Sequence, residues 1–276
     1  MGPQAQHGGL PSYRVVPGNR IRLADVDPGE SGGYGSRHEA EQPLAEQLER
    51  IADLQERLYA EHRRGLLVVM QAMDAGGKDG AIKALFRGLN PQGCVVWSFK
   101  VPTEEERAHD FLWRYHGKVP ARGQVTLFNR SYYEDVLVPR VKQRLEERVW
   151  RPRYHVIREF EQGLANDDFV ILKFFLHISK DEQKRRLERR LADPSKHWKF
   201  SLEDLTDRAL WGDYQAAYED AINETATDDA PWYVVPANHK WYRNLVIART
   251  IGDTLDAMDP RYPEPDLPPE GIEIPD

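Results

Sequence analysis

Cysteine is nearly absent from this sequence, since Cys94 is the only one among 276 residues. A lone thiol excludes an internal disulfide and suits a reducing compartment, so we expect a cytoplasmic protein. No apolar run approaches the roughly 18 residues that a membrane-spanning helix needs, and the N-terminus lacks the apolar core of a secretion signal. The nine histidines do not have the spacing of a zinc site. These absences predict no membrane partner and no zinc chemistry.

Positive charge is in deficit. The chain carries 38 Lys and Arg against 45 Asp and Glu, which gives a formal net charge of −7 at pH 7. This balance argues against a general nucleic-acid surface, so we expect no nucleic-acid partner. A polyanionic substrate would require a local cluster of basic residues. The length suits one large domain with extensions.

A short apolar run, Leu66 to Met70, is followed by small residues and then by apolar residues at helical spacing. Strand, glycine-rich turn, lysine and helix, in this order, predict a phosphate-binding loop. Backbone N–H groups, a helix N-terminus and a lysine all attract an anion. The candidate phosphate-binding residues in this loop are Ala75, Gly76, Gly77, Lys78, Asp79 and Gly80.

The loop departs from the usual P-loop pattern. Ala72 stands where the first glycine belongs, and Asp79 stands where the Mg²⁺-binding Ser or Thr belongs. Asp74 adds a carboxylate that would repel bound phosphates, so we expect a cation beside it. We interpret Asp74 as a metal anchor or a base. A plain glycine-rich turn with exposed charges is the alternative.

Apolar strands that alternate with helices predict an α/β fold with a mostly parallel, doubly covered sheet. The predicted strands are 66–70, 94–99, 124–128, 169–178 and 232–235, and the predicted helices are 37–64, 81–89, 104–116, 133–144, 154–165, 180–191, 201–225 and 241–258. Polar or Pro- and Gly-containing stretches predict a flexible arm over 1–36 and a loose tail over 259–276. The domain itself is expected to span 37–258. Since ligands bind at the C-terminal ends of parallel strands, residues 71–80 and 129–135 are expected to meet.

The segment after the third predicted strand carries Asn129, Arg130, Glu134 and Asp135. In P-loop kinases an Asp commonly ends this strand and holds Mg²⁺, and here Asn129 is neutral. We expect Glu134 and Asp135 to approach a metal or a nucleotide hydroxyl, or only to stabilise a helix N-terminus. Arg130 is expected either to clamp a transferring phosphoryl group or to form a structural ion pair. These four residues are the candidate nucleotide-binding set.

Basic residues concentrate between residues 180 and 199. Arginines recur at i, i+1, i+4 and i+5, a spacing that we interpret as one helix face. Such a face is typical of a lid over phosphates, because the planar guanidinium binds two phosphate oxygens at once. A solvated charged face is the alternative. The candidate phosphate-binding residues in this lid, about 180–200, are Arg185, Arg186, Arg189, Arg190 and Lys199.

Together these stretches resemble the family-2 polyphosphate kinases. The matching residues are 73–80, 128–136, 193–199 and 230–238 followed by Lys240, and the resemblance covers roughly 35–258. It implies a three-layer, P-loop kinase-like fold with a central five-stranded sheet and an α-helical lid. It also implies reversible, Mg²⁺-dependent phosphoryl transfer from inorganic polyphosphate to AMP and ADP, with ATP as a product, and Mn²⁺ as an alternative metal. Members commonly form homo-oligomers, so a dimer or tetramer is expected.

The resemblance also implies roles for single residues. Asp74 and Lys78 match residues that bind metal and phosphate, while Arg130 and a lid arginine, Arg190, match residues that handle phosphates. The combination of Asn129 with Glu134 resembles the subgroup that accepts both AMP and ADP. The implied catalytic set is therefore Asp74, Lys78, Arg130 and Glu134, with Asp74 as the metal ligand.

Two other functions fit the same residues. An ATP-dependent nucleoside monophosphate kinase would use the same loop and lid with a different donor. A non-catalytic nucleotide sensor is favoured by the missing loop Ser or Thr and by Asn129. Asp74, Arg130 and the arginine-rich helix argue against a sensor, because binding alone does not need so many groups that assist transfer.

Overall fold

The computed structural model describes residues 11–265 and residue 274, and a five-stranded sheet lies at their centre. The strands are Gly65–Gln71 (β1), Cys94–Ser98 (β2), Val125–Asn129 (β3), Phe169–His177 (β4) and Trp232–Pro236 (β5). Their order is β2-β3-β1-β4-β5, and every neighbouring pair is parallel. The predicted α/β fold with a parallel five-stranded sheet is confirmed.

Helices cover both faces of the sheet. Their bounds are Arg37–Glu61 (α1), Lys78–Leu85 (α2), Glu104–Ala108 (α3), Trp113–His116 (α4), Glu134–Val141 (α5), Glu147–Trp150 (α6), Arg153–Asn166 (α7), Lys180–Ala192 (α8), Leu202–Ala209 (α9), Trp211–Thr225 (α10) and Lys240–Met258 (α11). A 3-10 turn, Pro194–Lys199, connects α8 to α9. Within the described part of the chain, no helix combines the length and the apolar character that a bilayer crossing would require.

The position of β1 in the middle of the sheet explains why its sequence is continuously apolar. Leu66 and Val68 face one hydrophobic core, and Leu67 and Val69 face the other, with all four side chains fully buried. A parallel strand that is covered on both faces has no solvent side, so alternation with polar residues is lost. The core on the first side includes residues of α1, α2 and α11, and that on the second includes residues of α5, α7 and α10.

The N-terminal segment differs from the flexible arm that we expected over 1–36. Val15 N–H donates to Trp232 O over 2.8 Å, and Val234 N–H donates to Tyr13 O over 3.0 Å. The segment thus pairs with β5 in the antiparallel sense next to Arg14. An edge strand presents unpaired backbone groups, and this segment satisfies them. The expectations for residues 1–10 and for most of the tail beyond residue 265 lie outside the described residues.

Two long predicted helices are interrupted. The helix expected over 104–116 is divided into α3 and α4 by a turn in which Asp110 accepts from the N–H of Leu112 over 2.9 Å. The helix expected over 201–225 divides at Leu210 into α9 and α10. The division at Leu210 matters most, since it makes α9 a separate piece beside the lid.

Candidate active site

The loop between β1 and α2 turns sharply because Ala75 and Gly77 adopt positive φ angles of 58° and 99°. Gly76 must lack a side chain, since a Cβ there would lie 2.5 Å from Ala72 Cβ and 2.7 Å from Met73 O. Gly77 is the N-cap of α2, and the first N–H groups of that helix have no intrahelical partner. The loop therefore presents N–H donors and a positive helix end to an anion.

Lys78 lies at the base of this loop. Its Nζ donates to Ala72 O over 3.0 Å, and Tyr218 donates to the same oxygen over 3.1 Å. Burial and the neighbouring Arg130 charge lower the pKa of Lys78 to about 8, whereas nearby carboxylates act in the opposite direction. An anion bound beside Lys78 would favour its charged form, because a nearby negative charge offsets both the cost of burying the ammonium and the repulsion from Arg130.

Arg130 joins the loop to the end of β3. Its φ of 64° turns the chain sharply, and its N–H donates to Met70 O over 3.1 Å. Its Nη2 lies 3.0 Å from Oδ1 of Asp74. The charge of Glu134 raises the pKa of Arg130 further above its ordinary value. The expected meeting of residues 71–80 with residues 129–135 is thus observed as an ion pair.

Glu134 is the first residue of α5 and is oriented by Gln71, the last residue of β1. In the amide orientation that satisfies both of its polar atoms, Gln71 donates to Glu134 Oε1 over 2.9 Å. Its amide oxygen then accepts from the N–H of Ser131 over 3.1 Å. The fully buried Gln71 therefore fixes a carboxylate at the mouth of the site.

Asn129 and Asp79 link the sheet edge to the lid. Asn129 Nδ2 donates to Asp79 Oδ1 over 3.1 Å, and Lys199 Nζ lies 2.7 Å from Asp79 Oδ2. Burial opposes these contacts, but the hydrogen bonds from Lys199 and Asn129 lower the pKa of Asp79 below its ordinary value. Asp79, which stands where a P-loop usually has Ser or Thr, therefore binds Lys199 of the lid.

Residues 34–263 match the protein-family model described as Polyphosphate kinase 2 (PPK2). The chain belongs to the polyphosphate kinase 2 family. The match includes the loop, the end of β3 and the lid, so every site element described above lies within it.

Individual relatives extend over nearly the whole chain. An AMP/ADP-polyphosphate phosphotransferase of Meiothermus ruber is 52% identical over 266 residues, which are 96% of this chain and 100% of that protein. An ADP-polyphosphate phosphotransferase of Rhodopseudomonas palustris is 42% identical over 264 residues, 91% of each chain. The crystal structure of polyphosphate kinase 2 from Arthrobacter aurescens TC1 matches with a TM-score of 0.90 at 43% identity and covers 96% of both chains.

The four lid arginines do not share one helix face, so that part of the sequence interpretation was wrong. Arg185 and Arg189 are exposed and pair with Glu182, at 2.9 and 3.3 Å. Arg186 is buried, and its guanidinium donates to Ala75 O and Gly76 O over 3.1 and 2.8 Å. Successive residues are rotated by about 100° around a helix, so i and i+1 point in different directions.

Arg190 is the lid arginine that turns toward α9. Its Nη1 lies 3.4 Å from Asp204 Oδ2 and 3.4 Å from Lys199 O. Burial and the charge of Asp74 raise the pKa of Asp204. Asp204 is therefore a site carboxylate that sequence reasoning missed. Its pattern, Ser201 followed three residues later by an acid, is also that of a capping box, which the structure shows as well.

Asp135 is held differently from the nucleotide contact that we expected. Its Oδ2 accepts from the hydroxyl of Tyr115 over 2.7 Å, and its backbone oxygen accepts from Arg153 over 2.7 Å. Burial raises the pKa of Asp135. Through these contacts Asp135 joins α4 and α7 to α5. Glu134, in contrast, faces the loop.

Lys173 is a buried charged residue that the sequence analysis also missed. Lys173, in the middle of β4, is fully buried and donates to Glu161, Tyr133 and Thr225 O over 2.6, 3.1 and 2.8 Å. Glu161 also accepts from Tyr132 over 2.8 Å. A lysine within the apolar run 169–178 was the available signal, because a buried ammonium needs a partner.

The predicted metal site at Asp74 depends on which ligands lie near that carboxylate. Among residues 11–265 and residue 274, no group of three or more His, Cys, Asp or Glu side chains is arranged to hold a metal ion. Mg²⁺ usually binds one or two carboxylates and completes its shell with water and substrate phosphates. Asp74, next to the phosphate-binding loop, fits that role, and Mn²⁺ takes similar oxygen ligands.

Proposed function

We propose that this polyphosphate kinase 2 transfers a phosphoryl group from inorganic polyphosphate to AMP and to ADP, reversibly and with Mg²⁺. The observation that carries the proposal is the meeting of Lys78, Arg130 and Asp74 at one edge of the sheet beneath the lid. The names of the relatives from Meiothermus ruber and Rhodopseudomonas palustris support polyphosphate as donor and adenine nucleotides as acceptors. ATP is then the product from ADP.

Binding of the donor phosphates is assigned to the loop. Phosphoryl transfer depends mainly on positioning and on neutralising charge. The N–H groups at the start of α2 and the ammonium of Lys78 would hold phosphate oxygens, while Arg130 would contact the group in transfer. Arg130 already pairs with a carboxylate at 3.0 Å, so its fork is oriented before substrate arrives. When bound at Asp74, Mg²⁺ supplies further positive charge to the phosphate oxygens.

Binding of the acceptor is assigned to the end of β3. Glu134 is held by Gln71 and lies close enough to Arg130 to raise its pKa. We propose that Glu134 orients the acceptor by accepting a hydrogen bond from a nucleotide hydroxyl. A nucleotide phosphate needs little deprotonation near neutral pH, so orientation is the main requirement. The pair Asn129 and Glu134 supports the use of both AMP and ADP, as in the resemblance noted above.

The lid would close over the phosphates and exclude water. Its cations can exchange their present carboxylate partners for phosphate oxygens; they are the exposed Arg185 and Arg189 and the half-buried Lys199 and Arg190. Water exclusion limits loss of the donor by hydrolysis. We further propose a cytoplasmic homo-oligomer, a dimer or tetramer, which light scattering on purified protein would test.

The experiment that tests the function is luminescent detection of ATP with Mg²⁺ and long-chain polyphosphate as the only donor. ATP from ADP and from AMP would support the full proposal, and ATP from ADP alone would limit the acceptor. A control without polyphosphate measures adenylate-kinase disproportionation of ADP. Absence of product with polyphosphate, with ADP formed when ATP and AMP are supplied, would contradict the proposal and favour an ATP-dependent monophosphate kinase.

A further inference from the structure

Two buried arginines lie under the phosphate-binding loop. Arg186 of α8 is 6% exposed and Arg243 of α11 is 1% exposed. Arg186 donates to the carbonyl oxygens of Ala75 and Gly76, and Arg243 Nη1 donates to Gly77 O over 3.1 Å. Three successive carbonyl groups of the loop thus accept hydrogen bonds from buried guanidinium groups.

These contacts determine how the loop faces its ligand. Successive N–H groups can converge on an anion only if the carbonyl groups of the same peptides point elsewhere. A carbonyl oxygen that points into the protein needs a donor there, and a guanidinium supplies several in one plane. Gly77 O also accepts from the N–H of Ala81 over 3.1 Å, so Arg243 is its second donor. The approach is close: a Cβ on Gly77 would lie 2.3 Å from Arg243 Nη1.

The two arginines differ in how their charge is compensated. Arg186 Nε donates to Glu182 over 2.7 Å, so a carboxylate balances it. Arg243 donates to Asn244 Oδ1 and to Gly77 O, and both acceptors are neutral. Within residues 11–265 no carboxylate contacts Arg243. Burial and the charge of Arg186 lower the pKa of Arg243 to about 9.

An uncompensated buried cation is unfavourable for the folded protein on its own. The chain as a whole carries a formal net charge of −7, so a site for polyanions depends on nearby cations. A positive charge one hydrogen bond away from the loop would attract phosphates through a medium of low dielectric constant. Binding of an anion would in turn relieve the cost of burying the charge.

We infer that Arg243 is a positioning residue for the donor, which orients the carbonyl of Gly77 and strengthens phosphate binding by its charge without contacting the substrate. This inference rests on the proposed function, in which residues 75–80 hold the polyphosphate. It predicts that the charge of Arg243 matters more than the shape of its side chain. It also predicts that Arg243 favours the liganded state and not the stability of the free protein.

The test compares Arg243→Gln, which keeps an amide donor but no charge, with Arg243→Lys, which keeps the charge without the fork. Isothermal titration calorimetry would measure binding of inorganic tripolyphosphate and, separately, of AMP. Thermal melting would be recorded with and without tripolyphosphate. Arg50→Gln is the matched control, because Arg50 also contacts α11, through Asp253 and Asp256, and lies away from the loop.

We expect Arg243→Gln to weaken tripolyphosphate binding about tenfold, the effect of losing a charged partner, and to leave AMP binding unchanged. Arg243→Lys should stay within about threefold of wild type by the same arithmetic. The melting temperature of free Arg243→Gln should equal or exceed that of wild type, and its stabilisation by tripolyphosphate should shrink. A purely structural arginine would instead lower the melting temperature of the free protein.

Equal binding of tripolyphosphate by wild type and Arg243→Gln would overturn the inference. Equal losses in both variants would also overturn it, since shape and not charge would then decide. A wild-type protein that binds no tripolyphosphate would overturn the proposed function together with this inference, which distinguishes the two failures.

Discussion

The two strand ends that form the site are supported in opposite ways. The loop after β1 is held by Arg186 and Arg243, and the charge of Arg243 has no carboxylate beside it among the described residues. The segment after β3 contains Tyr132 and Tyr133, whose hydroxyl groups donate to Glu161, and Glu161 is paired with Lys173. The first arrangement adds positive charge where phosphates would bind, and the second provides a rigid platform with balanced charge.

This difference follows from what each strand end must do. The loop receives a polyanion, so an excess of positive charge beneath it is compensated in the complex. The end of β3 positions Arg130 and Glu134, which act by their geometry, and a shift of even 1 Å is costly for positioned groups. A buried ion pair with its hydrogen bonds satisfied gives rigidity without changing the local charge.

The largest expected effect is at the loop. Asp74→Asn should lower polyphosphate-dependent ATP formation about 10³-fold, because a neutral amide binds Mg²⁺ weakly and no longer balances Arg130. Asn has almost the same shape as Asp, so the fold should be kept and the melting temperature should stay close to wild type. Steady-state kinetics with ADP and polyphosphate measure the effect. Activity near the wild-type level would remove Asp74 from the metal-binding role.

The ion pair of Glu161 and Lys173, which supports the segment after β3, should affect the stability of the fold and not the activity directly. Lys173→Met leaves Glu161 buried without its cation and should reduce the free energy of unfolding by about 3–5 kcal/mol. Chemical denaturation with urea measures the loss. The double variant Lys173→Met with Glu161→Gln should recover most of it, because the amide oxygen still accepts from the tyrosines and no charge stays buried. A double variant as unstable as the single one would contradict the ion-pair argument.

Glu134→Asn tests the proposed binding of the acceptor at the segment after β3. We expect kcat/KM for AMP to fall about tenfold and that for ADP to fall less, because Glu134 together with Asn129 is proposed to permit the use of AMP as well as ADP. The wild-type enzyme assayed with both acceptors is the reference. Equal losses for AMP and ADP would reject the assignment of Glu134 to acceptor choice.

The smallest effect is a pH dependence of donor binding. With a pKa of about 8, Lys78 is charged below that pH and loses its charge as the pH rises through it. The KM for polyphosphate should therefore rise by up to about eightfold between pH 7.5 and 9, as the charged fraction falls. Lys78→Arg stays charged over this interval and should show a flat profile. A steep profile in Lys78→Arg would assign the pH dependence to another group.

Much of the fold could be predicted because hydrophobic patterns are local. The run 169–178 is long and apolar, and it forms β4 as Phe169–His177. The glycine-rich turn before Lys78 predicted the loop and the start of α2. The interruption of 201–225 at Leu210 could not be predicted, since apolar spacing suited a single helix and packing decided the break.

Site residues that directly follow a strand could be predicted, whereas those that reach the site from distant segments could not, because only local patterns can be read from the sequence. Asp74, Lys78, Arg130 and Glu134 follow strands whose C-terminal ends must lie together in a parallel sheet, and the structure brings them together. Asp204 was missed because α9 reaches the site from a distant part of the chain. Arg186 was assigned to phosphates because a charged helix gives no sign of which arginine will be buried.

The sequence by itself determined the alternation of strands and helices, the position of the phosphate-binding loop and the residues that end β3. Apolar periodicity, glycine and charge act over a few neighbouring residues, so they can be read directly. Only the tertiary structure decided that Arg186 and Arg243 lie under the loop, that Asp135 binds Tyr115 and that Lys173 meets Glu161. These contacts join residues 12 to 166 positions apart, and burial, which depends on the packing of the whole chain, determines which charges must find a partner.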